Sequence, residues 1–384
     1  MARRLYAYAF LEDFVLLYPV YAVLFAKAGL SPAAISSLFV IWSVTSFVLE
    51  IPAGLWADVF SRRSLLTIAP LLTGTGFALW TFAPSYLSFA LGFVLWGAGG
   101  ALRSGTLQAL VYEELTRHGA ADAFPRILGR THAMGMLAVM AATGLAGPVV
   151  ALGGHRAAGI ASVAACLLCA TAARSLPGSR GRTERGPGYR EVLRAGLAEV
   201  RRTPAVRRSL LIVSVLMGTA GALDEYVPLL AGSTGAPASV VPLLVLLVTA
   251  GMTAGGWLAG RGTRWTAGLL VLAAGCLAAG AASGRAAGLL PVALAFGVFE
   301  WAMSNADARL QEQIGDESRA TVTSVAGFGS EIVAVLTYAA YALGSTWMGP
   351  GSLFALAAVP ILVVALAVRS AGRREDKRRR RRTP

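Results

Sequence analysis

Apolar runs of about 20 residues recur along the whole chain, each closed by a few polar, Gly or Pro positions. A helix that crosses a membrane needs roughly 20 predominantly apolar residues, so the pattern predicts membrane spans. Twelve follow from it. Six precede a long break: Leu5–Lys27, Ala33–Val59, Leu65–Ala83, Tyr86 past Arg103 towards Leu115, a fifth after the polar stretch Thr116–Arg130 as far as Leu152, and Arg156–Ala173. Six follow it: Ser209–Gly232, Val240–Gly260, Trp265–Ser283, Ala287–Gln311, Ala320–Gly344 and Gly349–Val368. The break, Arg174–Arg208, is rich in Arg, Gly and Pro. It includes Tyr189–Val200, which reads as a short amphipathic helix on the membrane surface. The expected organisation is a six-helix half over 1–173, a basic linker over 174–208, a second six-helix half over 209–369 and a basic tail over 370–384.

Composition agrees with spans and excludes a soluble fold. The 384 residues are 56% hydrophobic and 14% charged, with a mean hydropathy of +0.63. Arg3 and Arg4 precede a first apolar run long enough to cross, and no small-residue cleavage site is apparent, so that run reads as a helix and not as a removable signal. The net charge of +14 is distributed unevenly. When loops are assigned to alternate sides, all 34 Lys and Arg residues fall on the side of the N-terminus except Lys27, Arg156, Arg285 and the in-span Arg103. That is the positive-inside pattern, which places both termini in the cytoplasm and makes the span count even. The tail Arg373–Arg382 then suits anionic lipid headgroups, and nucleic acid is not an expected partner. Cys166, Cys169 and Cys276 lie in apolar runs and read as small packing residues.

The halves carry traces of duplication. Gly54–Arg62 aligns with Gly256–Arg264 at an offset of 202, with Gly260 in place of Asp58. At an offset of 203, Gln108 pairs with Gln311, Glu113 with Asp316 and Glu114 with Glu317. Leu11-Glu-Asp-Phe-Val15 and Leu223-Asp-Glu-Tyr-Val227 are alike at an offset of 212, although they occupy different depths in their predicted helices.

The stretch Gly54-Leu-Trp-Ala-Asp-Val-Phe-Ser-Arg-Arg63 resembles the loop-2–3 signature of the major facilitator superfamily, G-x-L-a-D-r-x-G-r-r. Gly54, Ala57, Asp58, Arg62 and Arg63 match it; Trp56, Val59 and Ser61 depart from it. Gly144-Leu-Ala-Gly-Pro148 with Gly153-Gly154 is similar to the superfamily's antiporter signature with shifted spacing, and Arg103 with Gln108 partly matches its helix-4 Arg motif. The resemblance implies a major facilitator fold, rocker-switch alternating access and a bacterial cytoplasmic membrane, and in the drug–proton antiporter branch it implies export. It also implies that Gly54, Asp58, Arg62 and Arg63 form a cytoplasmic gate between the halves.

Charged residues inside spans cost about 2.5–3.5 kcal/mol each and usually face a cavity or a partner. Acids in apolar surroundings can exchange protons near neutral pH, which proton coupling requires. The candidates for a proton-coupling or substrate cavity are Glu12, Asp13, Arg103, Asp224, Glu225, Glu300 and Glu331. An ion pair of the helix-1 acids with Arg103 is the structural alternative for that group. Asp224 and Glu225 precede Tyr226 and Pro228, where helix 7 is poised to break. Glu300 lies between Phe299 and Trp301, neighbours suited to a lipophilic cation. Glu50 reads as support for the loop-2–3 turn. No phosphate-binding loop, metal cluster or catalytic triad occurs in the sequence, so neither an enzyme nor a cofactor is expected. The expected function is proton-coupled export of a hydrophobic or cationic small molecule by a monomer in contact with membrane lipids. Nutrient import and a lipid-handling or sensing role are the alternatives.

Overall fold

The computed structural model describes residues 1–178, 203–314 and 319–380; for residues 51, 54, 55, 57, 58, 121, 264, 319–321 and 371–380 it describes the backbone alone. The helices predicted from the apolar runs are present: α1 Ala2–Asp13, α2 Tyr21–Lys27, α3 Pro32–Val59, α4 Arg62–Phe82, α5 Tyr86–Arg103, α6 Thr106–Arg117, α7 Phe124–Arg174, α8 Pro204–Asp224, α9 Val227–Ser233, α10 Val241–Trp257, α11 Thr266–Ala282, α12 Leu289–Glu312, α13 Arg319–Gly344, α14 Pro350–Leu356 and α15 Ala358–Arg380. Among the described residues, eight helical stretches are long and apolar enough to cross a membrane, and α10 and α11 are shorter apolar helices. α7 is two helices joined at Gly154, whose φ of 63° and ψ of −169° kink the chain near the predicted boundary between spans five and six. This inventory is consistent with twelve spans.

Four predicted spans are interrupted, among them span seven, which breaks after Asp224 and resumes at Val227. Span one breaks after Asp13 and resumes at Tyr21, span four breaks at Ser104–Gly105, and span twelve divides at Ala357. The stretch Thr116–Arg130, expected as a connection, is already helical from Phe124 onward. Tyr189–Val200 lies outside the described residues, as do Asp316 and Glu317 of the repeat. The tail is helical as far as Arg380.

Contacts divide the chain into two compact units, Met1–Gly186 with Pro237–Leu246, and Pro187–Ala236 with Leu247–Pro384. In the first, α1 packs on α7, α4 on α5 and α7, and α3 on α5. Ser31 starts α3 by accepting from the Ala34 amide at 3.2 Å, with Pro32 at the first helical position. The centre of this unit is aromatic: Phe25, Phe77, Trp80, Phe89 and Phe93 are fully buried. The Trp80 indole satisfies its N–H on the Phe89 carbonyl at 3.1 Å.

In the second unit α8 packs on α13 and α12, and α11 on α12, α14 and α15. Membrane helices have little hydrophobic drive to associate and rely on close backbone approach between small residues. At the α10–α12 contact, a Cβ on Gly255 would fall on the carbonyl of Gly297. Gly255→Leu should therefore cost about 1–3 kcal/mol through overpacking. Gly268→Leu, with open space at that position, should leave stability unchanged. Thermal unfolding of the two variants in detergent checks this; equal midpoints would refute the packing argument.

Candidate functional site

Two helix breaks build the site in the first unit. α1 stops at Asp13, and Pro19, which lacks an N–H and disfavours helical geometry in the residue before it, lies in the break before the helix resumes at Tyr21. A broken helix at membrane depth must satisfy its freed backbone groups. Here the Leu17 amide donates to the buried Ser162 Oγ on α7 at 3.1 Å. The Cys169 thiol, one turn-pair further along α7, donates to the Tyr8 carbonyl at 3.6 Å, which accounts for a cysteine at that position. The second break lies between α5 and α6, where Gly105 takes φ 69°, a conformation that a residue with a Cβ enters only under strain. Arg103 is the last residue of α5 and stands at this break.

The breaks bring Glu12, Asp13 and Arg103 together. Arg103 Nε lies 2.5 Å from Glu12 Oε1, with the Arg side chain 43% and the Glu side chain 19% exposed. The ion pair anticipated as a structural alternative thus exists, and it uses one of the two acids. Asp13 packs against Gly135 of α7 so closely that a Cβ there would strike its carboxylate. Both acids and Arg103 line a cavity of about 650 Å³, with Gln108, Thr131 and His132 also on its wall. A small recess of about 50 Å³ continues from the same three residues to Tyr18 and Trp96. Tyr18 stacks on Trp96 at 5.3 Å between ring centres, and Trp96 on Trp42 at 5.2 Å. One face is therefore ionic and the adjoining face aromatic. Glu50, read from the sequence as structural, accepts from Ser104 Oγ at 2.6 Å and so braces the helix-4 break.

In the second unit α8 ends at Asp224, and the helix restarts at Val227–Pro228. The two acidic pairs, judged from sequence to lie at different depths, both stand at the broken end of the first span of their unit. Asp224 is within electrostatic reach of Glu300 on α12. Tyr338 on α13 is within reach of Asp224, Glu225 and Glu331. Tyr226 fixes the break by stacking on Tyr341 at 3.6 Å and meeting Tyr338 edge-on at 6.0 Å. Asp224, Glu225 and Glu331 are thus all within electrostatic reach of Tyr338, and Glu300 is within reach of Asp224.

The gate residues are less fully described. Gly54 and Asp58 are in the last turns of α3, but their side chains lie outside the described residues. Arg62 is buried and pairs with Glu113 of α6 at 2.5 Å, within its own unit. Arg63 is exposed.

Sequence reasoning placed His132 at a membrane boundary without joining it to the acids, and it missed the Tyr18–Trp96–Trp42 stack and the helix-4 break. Pro19 and Ser104-Gly105 were the available signals for the breaks; the stack depends on long-range packing and had none.

The Glu12–Arg103 pair makes a prediction. Arg103→Met leaves a carboxylate without its cation in a membrane interior and should lower stability by about 1–3 kcal/mol, less than for a fully buried pair because Arg103 is partly exposed. Adding Glu12→Gln should recover most of the loss. A double-mutant cycle of thermal unfolding in detergent measures this coupling, and additive effects would show the pair to be energetically idle.

The geometry can be set beside known proteins. The family model described as Major Facilitator Superfamily matches residues 6–338. No curated protein sequence matches the chain. Among solved structures, the chain is similar to the nucleoside transporter NupG, with a TM-score of 0.74, 12% identity, and 96% of this chain and 98% of that one covered. It is also similar to an auto-inhibited POT family peptide transporter, with a TM-score of 0.71, 13% identity, and 97% and 96% covered. A bacterial homologue of the human lysosomal transporter Spinster gives a TM-score of 0.67 at 15% identity, covering 96% and 93%. At these identities the structures speak for the fold alone. With the family match spanning most of its length, this multi-pass membrane chain belongs to the Major Facilitator Superfamily and is a transporter, not an enzyme.

Proposed function

We propose that the chain is a secondary active transporter that exports a lipophilic organic cation in exchange for protons by alternating access. We place it as a monomer in a bacterial cytoplasmic membrane with both termini in the cytoplasm. The observation that carries this reading is that each unit breaks its first span at an acidic pair. Discontinuous helices are where transporters of other folds gather their substrate and coupling-ion groups.

In the first unit, the cavity with Asp13 beside an aromatic stack offers a carboxylate for a cation's charge and rings for its apolar body. In the second unit, Asp224, in reach of Glu300, and Glu225 and Glu331, which share Tyr338 with it, are proposed to hold protons or a cationic group. Exchange then follows from competition: a proton and the substrate cation cannot both satisfy the same carboxylate, so release of one favours uptake of the other. Gly54, Asp58, Arg62 and Arg63 are proposed to close the cytoplasmic side, with Arg62 held in place by Glu113.

The test is proton movement in everted vesicles carrying the protein. An acid-inside gradient challenged with lipophilic cations should partly dissipate when a substrate is added. Asp13→Asn and Asp224→Asn should each reduce the response at least about tenfold, a loss of roughly 1.4 kcal/mol or more in coupling, while the protein still reaches the membrane. An unchanged response in both variants would refute the site assignment. Accumulation of substrate by intact cells would reverse the direction to import, and binding without proton movement would favour the sensing or lipid-handling reading.

A further inference from the structure

The ends of three helices in the first unit meet away from the cavity just described: the start of α1, the start of α4 and the end of α7. Two adjoining pockets lie there. One, of about 440 Å³, is bordered by Arg4, Arg63 and Arg174. The other, of about 400 Å³, is bordered by Arg63 and Arg174 together with Ser64, Thr67 and Ile68 of α4. Arg63 and Arg174 thus serve both. All three arginines are exposed, and none forms a salt bridge with an acid among the described residues. Arg4 is steered into place by donating from its guanidinium to the Ser175 carbonyl at 2.7 Å. Glu114, the one acid on the rim, is already engaged by Arg117 at 2.8 Å.

Three guanidinium groups around a pocket of this size select an anion with several oxygens, because each can offer paired donors to a phosphate. The second pocket adds an apolar direction. Ser64, Thr67, Ile68 and Leu71 follow the helical spacing of one face of α4, and Ile68 and Leu71 remain 44% and 41% exposed. The face therefore runs from guanidinium groups through hydroxyl side chains to bare aliphatic surface along a membrane-spanning helix. That gradient matches a phosphodiester headgroup continued by an acyl chain, which a free phosphate lacks.

We infer that the pocket of Arg4, Arg63 and Arg174 binds the headgroup of an anionic phospholipid, with an acyl chain lying along Ile68 and Leu71. Lys and Arg near a membrane surface attract anionic lipid, and the pocket makes the attraction local to one site.

Binding is read by native mass spectrometry and by lipid-dependent thermal unfolding of the full chain in detergent, using phosphatidylglycerol, phosphatidylcholine and glycerol 3-phosphate as probes. Phosphatidylglycerol should bind saturably and raise the unfolding midpoint, while the zwitterionic lipid and the chain-free phosphate do neither at equal concentration. Arg63→Gln with Arg174→Gln should weaken phosphatidylglycerol binding at least about tenfold, and each single change should weaken it by a smaller factor. Arg156→Gln, whose guanidinium lies over Phe82 and outside both pockets, should leave it unaltered. If the double variant does not fold, the single variants and Ile68→Asp, aimed at the acyl-chain path, provide the same reading. Undiminished binding in these variants overturns the site. Equal effects of glycerol 3-phosphate and phosphatidylglycerol overturn the lipid and leave a soluble phosphate ligand.

Discussion

An unpaired charge or a free backbone amide has nowhere to turn in the interior of a membrane, and the first unit is arranged around that constraint. Its two helix breaks expose backbone and concentrate charge in one place. Ser162 takes an amide released by the first break. Ser104 at the second is held by Glu50. Arg103, brought to the second break as the last residue of α5, neutralises Glu12 from the first. Each element answers a cost created by another. If α1 continued as a helix through residues 14–20, Glu12 and Asp13 would still be charged, but the chain would lose the irregular turn that places them on the cavity. The acidic pair and the break belong to one device.

The same constraint explains how much was legible in the sequence. Apolar length is imposed by the bilayer itself and does not depend on neighbours, so most of the predicted spans were found within a few residues of their observed ends. The kink at Gly154 fell where Gly153-Gly154 and His155-Arg156 suggested a boundary. Interruptions inside spans were harder to see. Residues 14–20 are apolar apart from Tyr18 and Pro19, and a hydropathy pattern treats them as helix. Isolated Pro occurs within continuous helices here as well, at Pro52 in α3 and Pro70 in α4, so Pro19 could not have marked a break unaided. What separates the cases is the neighbouring partner: Ser162, 145 residues away in sequence. Candidate acids were legible one by one because charge in an apolar run stands out. Their grouping into one cluster in each unit was not, because it depends on which helices pack together.

The two units, aligned by the repeats in the sequence, differ in chemistry. The offset of 203 that pairs Gln108 with Gln311 also pairs Arg103 with Ala306, Ser104 with Asp307 and Gly105 with Ala308. Helix geometry reflects the change. Where Gly105 adopts positive φ and ends α5, the counterpart α12 runs through Ala306 and Ala308 without interruption. The second unit thus keeps the break at its first span and loses both the second break and the arginine that accompanies it. Three of its acids, Asp224, Glu225 and Glu331, lie within electrostatic reach of Tyr338, whereas Glu12 in the first unit meets a guanidinium. A guanidinium stays charged under any physiological condition. Under the proposed antiport, Asp13 beside the Glu12–Arg103 pair and the acids within reach of Tyr338 are the groups that would exchange protons, and the differences between Arg103 and Ala306 and between Gly105 and Ala308 set the two units apart.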